Sequence, residues 1–317
     1  MPEVSVSSHR GWDIVQLSSD QLEVDVVPGK GGDLTSVRWL PLGVDVLWKT
    51  PWGLRPRGER SAAGGSEAKL MEAYPGGWQT VFPNAGDPTV EHGVDWGHHG
   101  EVWMTSLDWE PVGPAAIEMR TRLVRSPFEV VKRVEVDGSA VTVTETVTND
   151  AAEAVDVMWS QHPAFGPPLV GPGTTVEAPA GVVHSAEGDA AWPTLPGTDT
   201  DLRRVPPPRA GETRMAYLGE LGEGRVAVVN ADLDLRAELS WDLSVMPYAW
   251  YWLEAGGRAG FPWFSDAYVL ALEPATSWPY TGVSAVRETT GTHVTIEPGE
   301  SRASAVTLRL GPAETAR

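Results

Sequence analysis

The sequence predicts an all-β protein, a β-sandwich or barrel built as one large domain over residues 1–317. Three observations carry this. Apolar and polar residues alternate in many short runs, which is the period of a half-buried strand. The 34 glycines and 27 prolines supply turns at short intervals. No stretch keeps apolar residues at helical spacing for three turns.

Taken in order, QLEVDVV at 21–27 is the first clear alternating run. EVVKRVEVDGSAVTVTETVT at 129–148 holds two such runs joined at Asp137-Gly138, a hairpin signal. In the second run Val141, Val143, Glu145 and Val147 share one face, with threonines on the other. Residues 224–239, 266–273 and 292–310 alternate in the same way. RPRGERSAAGGSEAKL at 55–70 and PTLPGTDTDLRRVPPPRAGET at 193–213 are expected to be long surface loops. No internal repeat of fixed period occurs.

The formal net charge of −19 disfavours phosphate backbones and anionic lipid, so neither nucleic acid nor membrane is an expected partner. With no cysteine, disulfides and thiolate metal ligands are excluded. The start, MPEVSVSSHRGWDIVQL, lacks a basic segment followed by an apolar run, and nothing approaches the ~18 apolar residues of a membrane helix. A cytoplasmic protein, monomer or homodimer, is the expectation. The 15 tryptophans offer indole faces suited to sugar rings, although packing is the commoner role of any one of them.

Four stretches could carry chemistry. YPGGWQTVFPNAGDP, 74–88, precedes VEHGVDWGHHGEVW, 90–103, which contains His92, His98 and His99 beside Glu91 and Glu101. MWSQHPAFGPPL, 158–169, places His162 just after a strand-like run. YVLALEPATSWP, 268–279, places Glu273 at the end of an apolar strand, where desolvation would raise its basicity. Histidine can donate a proton near neutral pH. Taken singly, each has a plainer reading: a glutamate closing a turn, a histidine capping a strand. On a strand, adjacent His98 and His99 would point to opposite faces, while His99 and Glu101 would share one.

Together, GGWQTVFPNAG, HHGEVW, SQHPAFG and ALEP, in that order, resemble the aldose 1-epimerase (galactose mutarotase-like) family from about residue 20 to 312. IEPGES at 296–301 resembles that family's last hairpin. The resemblance implies one large antiparallel β-sandwich and an isomerase that interconverts the α and β anomers of a free sugar. It implies His162 as general acid, Glu273 as general base, His99 against the sugar, and neither cofactor nor metal.

The chain also departs from that pattern. The family's arginine near Asn84 is missing, so Gln79 or Asn84 replaces it as a hydroxyl ligand, or an arginine from 55–60 folds over the site. No arginine-rich phosphate pocket can be placed, which favours an unphosphorylated sugar. Gln161 stands where many galactose mutarotases have asparagine. An aspartate that contacts the sugar elsewhere has no clear match, with Asp242, Glu254 and Asp266 unranked candidates. Trp78, Trp159, Trp250 and Trp252 are the expected stacking surfaces, and Trp103 is expected near His99 on one strand. Two other readings stay open: a non-catalytic carbohydrate-binding protein of this fold, and a metal-dependent β-sandwich isomerase or lyase using His92, His99 and Glu101.

Overall fold

The computed structural model describes residues 2–314. The alternating runs form two large antiparallel sheets. The eight-stranded sheet runs Thr175–Glu177, Arg225–Asn230, Leu235–Trp241, Ser301–Gly311, Ala140–Asn149, Phe128–Asp137, Ala116–Arg122 and Asp108–Gly113. The twelve-stranded sheet starts with Glu3–His9, Trp12–Ser18, Leu22–Val27 and Asp33–Trp39. It continues through Trp78–Val81, Ser160–Phe165, Tyr268–Ala275, Tyr248–Ala255 and Glu212–Gly219, and ends with Val182–Ser185 and Gly188–Ala191. A short strand, Val44–Asp45, pairs beside Asp33–Trp39.

The inner faces enclose the main apolar core. Val141, Val143 and Val147 are buried there, opposite Val136, Val134 and Val130 across the 128–149 hairpin. Glu145 occupies the same face and is likewise buried. Its cross-strand partner is Lys132, with Nζ 3.5 Å from its carboxylate. From the other sheet Thr80 donates its hydroxyl to Glu145, Trp159 its indole N–H at 2.9 Å and Gln161 its amide at 2.7 Å. Gln161 in turn accepts the Trp78 indole N–H at 2.8 Å. A polar cluster in which the buried ion pair keeps hydrogen-bond partners thus joins the two layers.

Two local expectations are corrected. The 55–70 segment is not all loop, because Ser66–Ala73 forms a helix with Leu70 buried. Leu70 is its one fully buried position, with Met71 and Ala73 partly buried beside it, so helical periodicity is weak in its sequence. The strands flanking IEPGES do not form a hairpin. Val294–Ile296 pairs with Val155–Val157, whereas Ser301–Gly311 enters the eight-stranded sheet. Among the described residues no helix is long and apolar enough to cross a membrane.

Candidate active site

A period of two along a strand sends alternate side chains to opposite faces. In Ser160–Phe165, Gln161 therefore enters the inter-sheet core while His162 and Ala164 face outward. In Tyr268–Ala275 the outward set is Val269, Ala271 and Glu273. A second apolar cluster gathers on this outer face, with Trp48, Leu70, Tyr74, Trp103 and Trp263 among its members. Beside it lies a solvent-open cleft whose lining, aromatic with a few convergent polar groups, is of the kind that holds small-molecule ligands.

Glu273 is expected at a strand end, because proline follows it, and His162 just after a strand-like run. Both lie inside strands instead. The ladder between these strands is paired at Ser160 with Ala275 and at Ala164 with Ala271, but not at residues 161–163. Proline has no N–H for a ladder, so Pro163 and Pro274 fit where the pairing opens. Across this opening His162 Nε2 stands 3.6 Å from Glu273 Oε1. Gln79 is the register partner of His162 on the other side, and Trp250 that of Glu273.

The second histidine group comes from a turn, not a strand. His99 has φ 59° and Gly100 φ 77°. A side chain at Gly100 would strike the Phe82 carbonyl, so the turn needs glycine there. The turn brings the His98 and His99 rings to 4.3 Å, and both line the cleft. His99 Nδ1 accepts the Gly86 N–H at 3.0 Å, which leaves the ring proton of the neutral imidazole on Nε2. The His99 and His162 rings are 5.7 Å apart. Trp103 lines the cleft from a 3₁₀ turn, Val102–Met104, rather than from a strand shared with His99.

Burial dominates the electrostatics. It pushes the Glu273 carboxyl well above its usual range and brings His162 down to about 4. His98 is lowered to about 4 by burial, reinforced by the charges of His162 and Arg258, and His99 well below its ordinary value, again mainly by burial. Tyr74 is held well up, by burial and then by the charge of Glu273. Glu273 Oε2, His162 Nδ1, Gln79 Oε1 and the Tyr74 hydroxyl are buried with no protein partner.

Of the expected site residues, His162, Glu273, His99, Gln79, Trp250 and Trp252 line one cleft. Asn84, Trp78 and Trp159 do not. Asn84 is consumed by loop contacts, donating to Asp87 O and Gly97 O and accepting from Val283 N. Trp78 and Trp159 point into the inter-sheet core, where their N–H groups serve Gln161 and Glu145. The 55–60 arginines do not reach over: Arg55 pairs with Glu59 and Arg57 stacks on Trp12. Asp242 accepts the Ser244 N–H, Asp266 pairs with Arg209, and Glu254 accepts from Thr213, so none of these three faces the cleft.

The cleft also takes residues that the sequence reading passed over: Glu67, Tyr74, Asp87, Arg258 and Trp263. The suggested metal set does not assemble. Glu101 accepts the backbone N–H groups of Val124 and Arg125, and His92 faces Glu153 at 3.2 Å. Among the described residues no three His, Asp or Glu side chains form a metal-binding group.

Residues 9–310 match the family described as a domain of unknown function, DUF4432. The chain belongs to that family. No curated protein matches it in sequence. Its fold is that of the galactose mutarotase-like β-sandwiches. A galactose mutarotase-like protein of Clostridium acetobutylicum is 13% identical over 98% of this chain and 98% of its own, with a TM-score of 0.69. A proposed aldose 1-epimerase of Klebsiella pneumoniae is 17% identical over 96% of this chain and 81% of its own, with a TM-score of 0.71. The Slr1438 protein of Synechocystis is 16% identical over 99% of this chain and 97% of its own, with a TM-score of 0.70. At these identities the DUF4432 chain shares their architecture, and its chemistry rests on its own residues.

Proposed function

We propose that this protein is an aldose 1-epimerase, interconverting the anomers of a free sugar by acid–base ring opening. The observation that carries the proposal is the His162–Glu273 pair, 3.6 Å apart in a solvent-open cleft backed by tryptophan. Glu273 takes the proton from the anomeric hydroxyl while His162 gives one to the ring oxygen. The C1–ring oxygen bond breaks and an aldehyde forms. Rotation about C1–C2 presents the other carbonyl face, and reclosure returns both protons.

Counting protons shows why burial suits this step. Burial favours the pair's one proton on Glu273 with His162 neutral, and ring opening proceeds from the minor arrangement with imidazolium and carboxylate. After opening the pair holds one proton as neutral imidazole and carboxylic acid. A buried site favours the uncharged arrangement, which accompanies the open-chain intermediate. The pair titrates as a unit, so activity falls both when it gains a second proton and when it loses the first.

Among the described residues Arg258 is the only lysine or arginine lining the cleft, and Glu67 and Asp87 line it too. That balance favours a sugar without a phosphate dianion. Exchange NMR of anomeric protons over D-galactose, D-glucose, D-xylose and L-arabinose tests the reading. His162→Asn and Glu273→Gln should each slow enzymatic exchange about 10²–10⁴-fold. Wild-type rates in both variants would remove the assignment. Binding without exchange would make the protein a sugar-binding member of the fold.

A further inference from the structure

The Gln79 amide sits beside His162 and is itself almost fully buried. Its Nε2 donates to Gly76 O at 2.8 Å and to Asp33 Oδ2 at 3.3 Å. Its Oε1 is buried, finds no partner in the protein, and belongs to a side chain that lines the cleft. Exchanging the amide oxygen and nitrogen would set oxygen against both a carbonyl and a carboxylate. Orientation is therefore decided by chemistry, where amide atoms alone are ambiguous.

Behind the amide lies a second observation. Asp33 is wholly buried and Lys30 nearly so, and the two form an ion pair. The Lys30 ammonium also lies over the Trp103 ring, 5.1 Å from its centre. A buried ion pair is a poor source of stability, because removing both charges from water offsets their attraction. Here one of its carboxylate oxygens accepts from Gln79.

We infer that Gln79 is a specificity-determining residue locked as a pure acceptor by Gly76 O and the Lys30–Asp33 pair, so that it demands a hydrogen-bond donor from the ligand. This deepens the mutarotase reading and rests on it for the ligand class: at one ring position the sugar must carry a hydroxyl whose hydrogen points at Gln79. Fluorine, which accepts weakly and cannot donate, does not substitute there. Asp33 and Lys30 are positioning residues that act through the amide.

Two measurements test this. Neutron diffraction from deuterium-exchanged wild-type crystals should place both Nε2 deuterons toward Gly76 O and Asp33. Nitrogen turned to the cleft overturns the lock whether or not any sugar is a substrate. The second uses the fastest-exchanging sugar of the four named above with its monodeoxy and monodeoxyfluoro analogues. At one ring position both replacements should raise KM about tenfold, and Gln79→Leu should bring analogue and parent within about twofold. Fluoro sugars that keep the parent KM at every position overturn the inference. The double variant K30M/D33L should narrow the discrimination without lowering the unfolding midpoint. Undiminished discrimination there removes the ion pair from the lock. If none of the four sugars exchanges, the mutarotase reading falls and the deuteron positions alone decide the lock.

Discussion

Three imidazoles share one cleft, and burial lowers the pKa of each. In the unfolded chain each binds a proton near the ordinary histidine value of about 6.5. Folded His98 and His162 bind theirs only near about 4. Between those values the unfolded chain carries more protons, so stability falls as pH falls. Glu273 and Asp33, raised by burial, act in the opposite sense, since their folded forms hold protons longer as pH rises. With three groups on the acid-sensitive side, thermal midpoints should drop between pH 7 and pH 5. The double variant H98N/H162N should show a shallower drop, and a slope equal to wild type would refute the account. At this scale the sequence showed a good deal. His162, Glu273 and His99 stood in recognisable stretches. Arg258 and Trp263 did not, because they lie outside those stretches, and only the fold carries them to the cleft.

The elements that carry His162 and Glu273 are short strands whose two faces do different work. Outward lies the cleft, and inward lies the polar cluster around Glu145. Gln161→Leu should leave the cleft lining intact while stripping a partner from both Trp78 and Glu145. The Trp78 N–H is orphaned at a cost of about 1–3 kcal/mol, while Glu145 keeps Thr80, Trp159 and Lys132. Chemical denaturation should show a loss of about 1–3 kcal/mol, and a loss well under about 1 kcal/mol would mean that the cluster does not join the layers as described. Strands such as 129–148 were legible because they keep one face wet. The site strands were less so: both Ser160–Phe165 and Tyr268–Ala275 are buried on both faces, so 266–273 was legible as a strand but Pro274 read as its end, and 160–165 showed no alternation. The helix Ser66–Ala73 escaped for the reverse reason, with one buried position in eight residues.

For the whole molecule, the sandwich was predictable from many short strands and abundant turn residues, while the pairing order was not. Order depends on contacts far apart in sequence, as where Trp78–Val81 meets Ser160–Phe165. The last long strand, Ser301–Gly311, is an interior member of its sheet, flanked by Leu235–Trp241 and Ala140–Asn149. Until it arrives, both neighbours present unsatisfied backbone edges of the kind that recruit other chains. During synthesis, then, this sheet has to wait for Ser301–Gly311, which is made after both of its neighbours. A chain stopped before Ser301 should be recovered in inclusion bodies rather than as a slightly destabilised protein, and a soluble, cooperatively melting truncation would contradict that. Adding the 301–311 peptide in trans is the natural rescue, since the slot it leaves is already shaped as a strand with an acceptor row on each side.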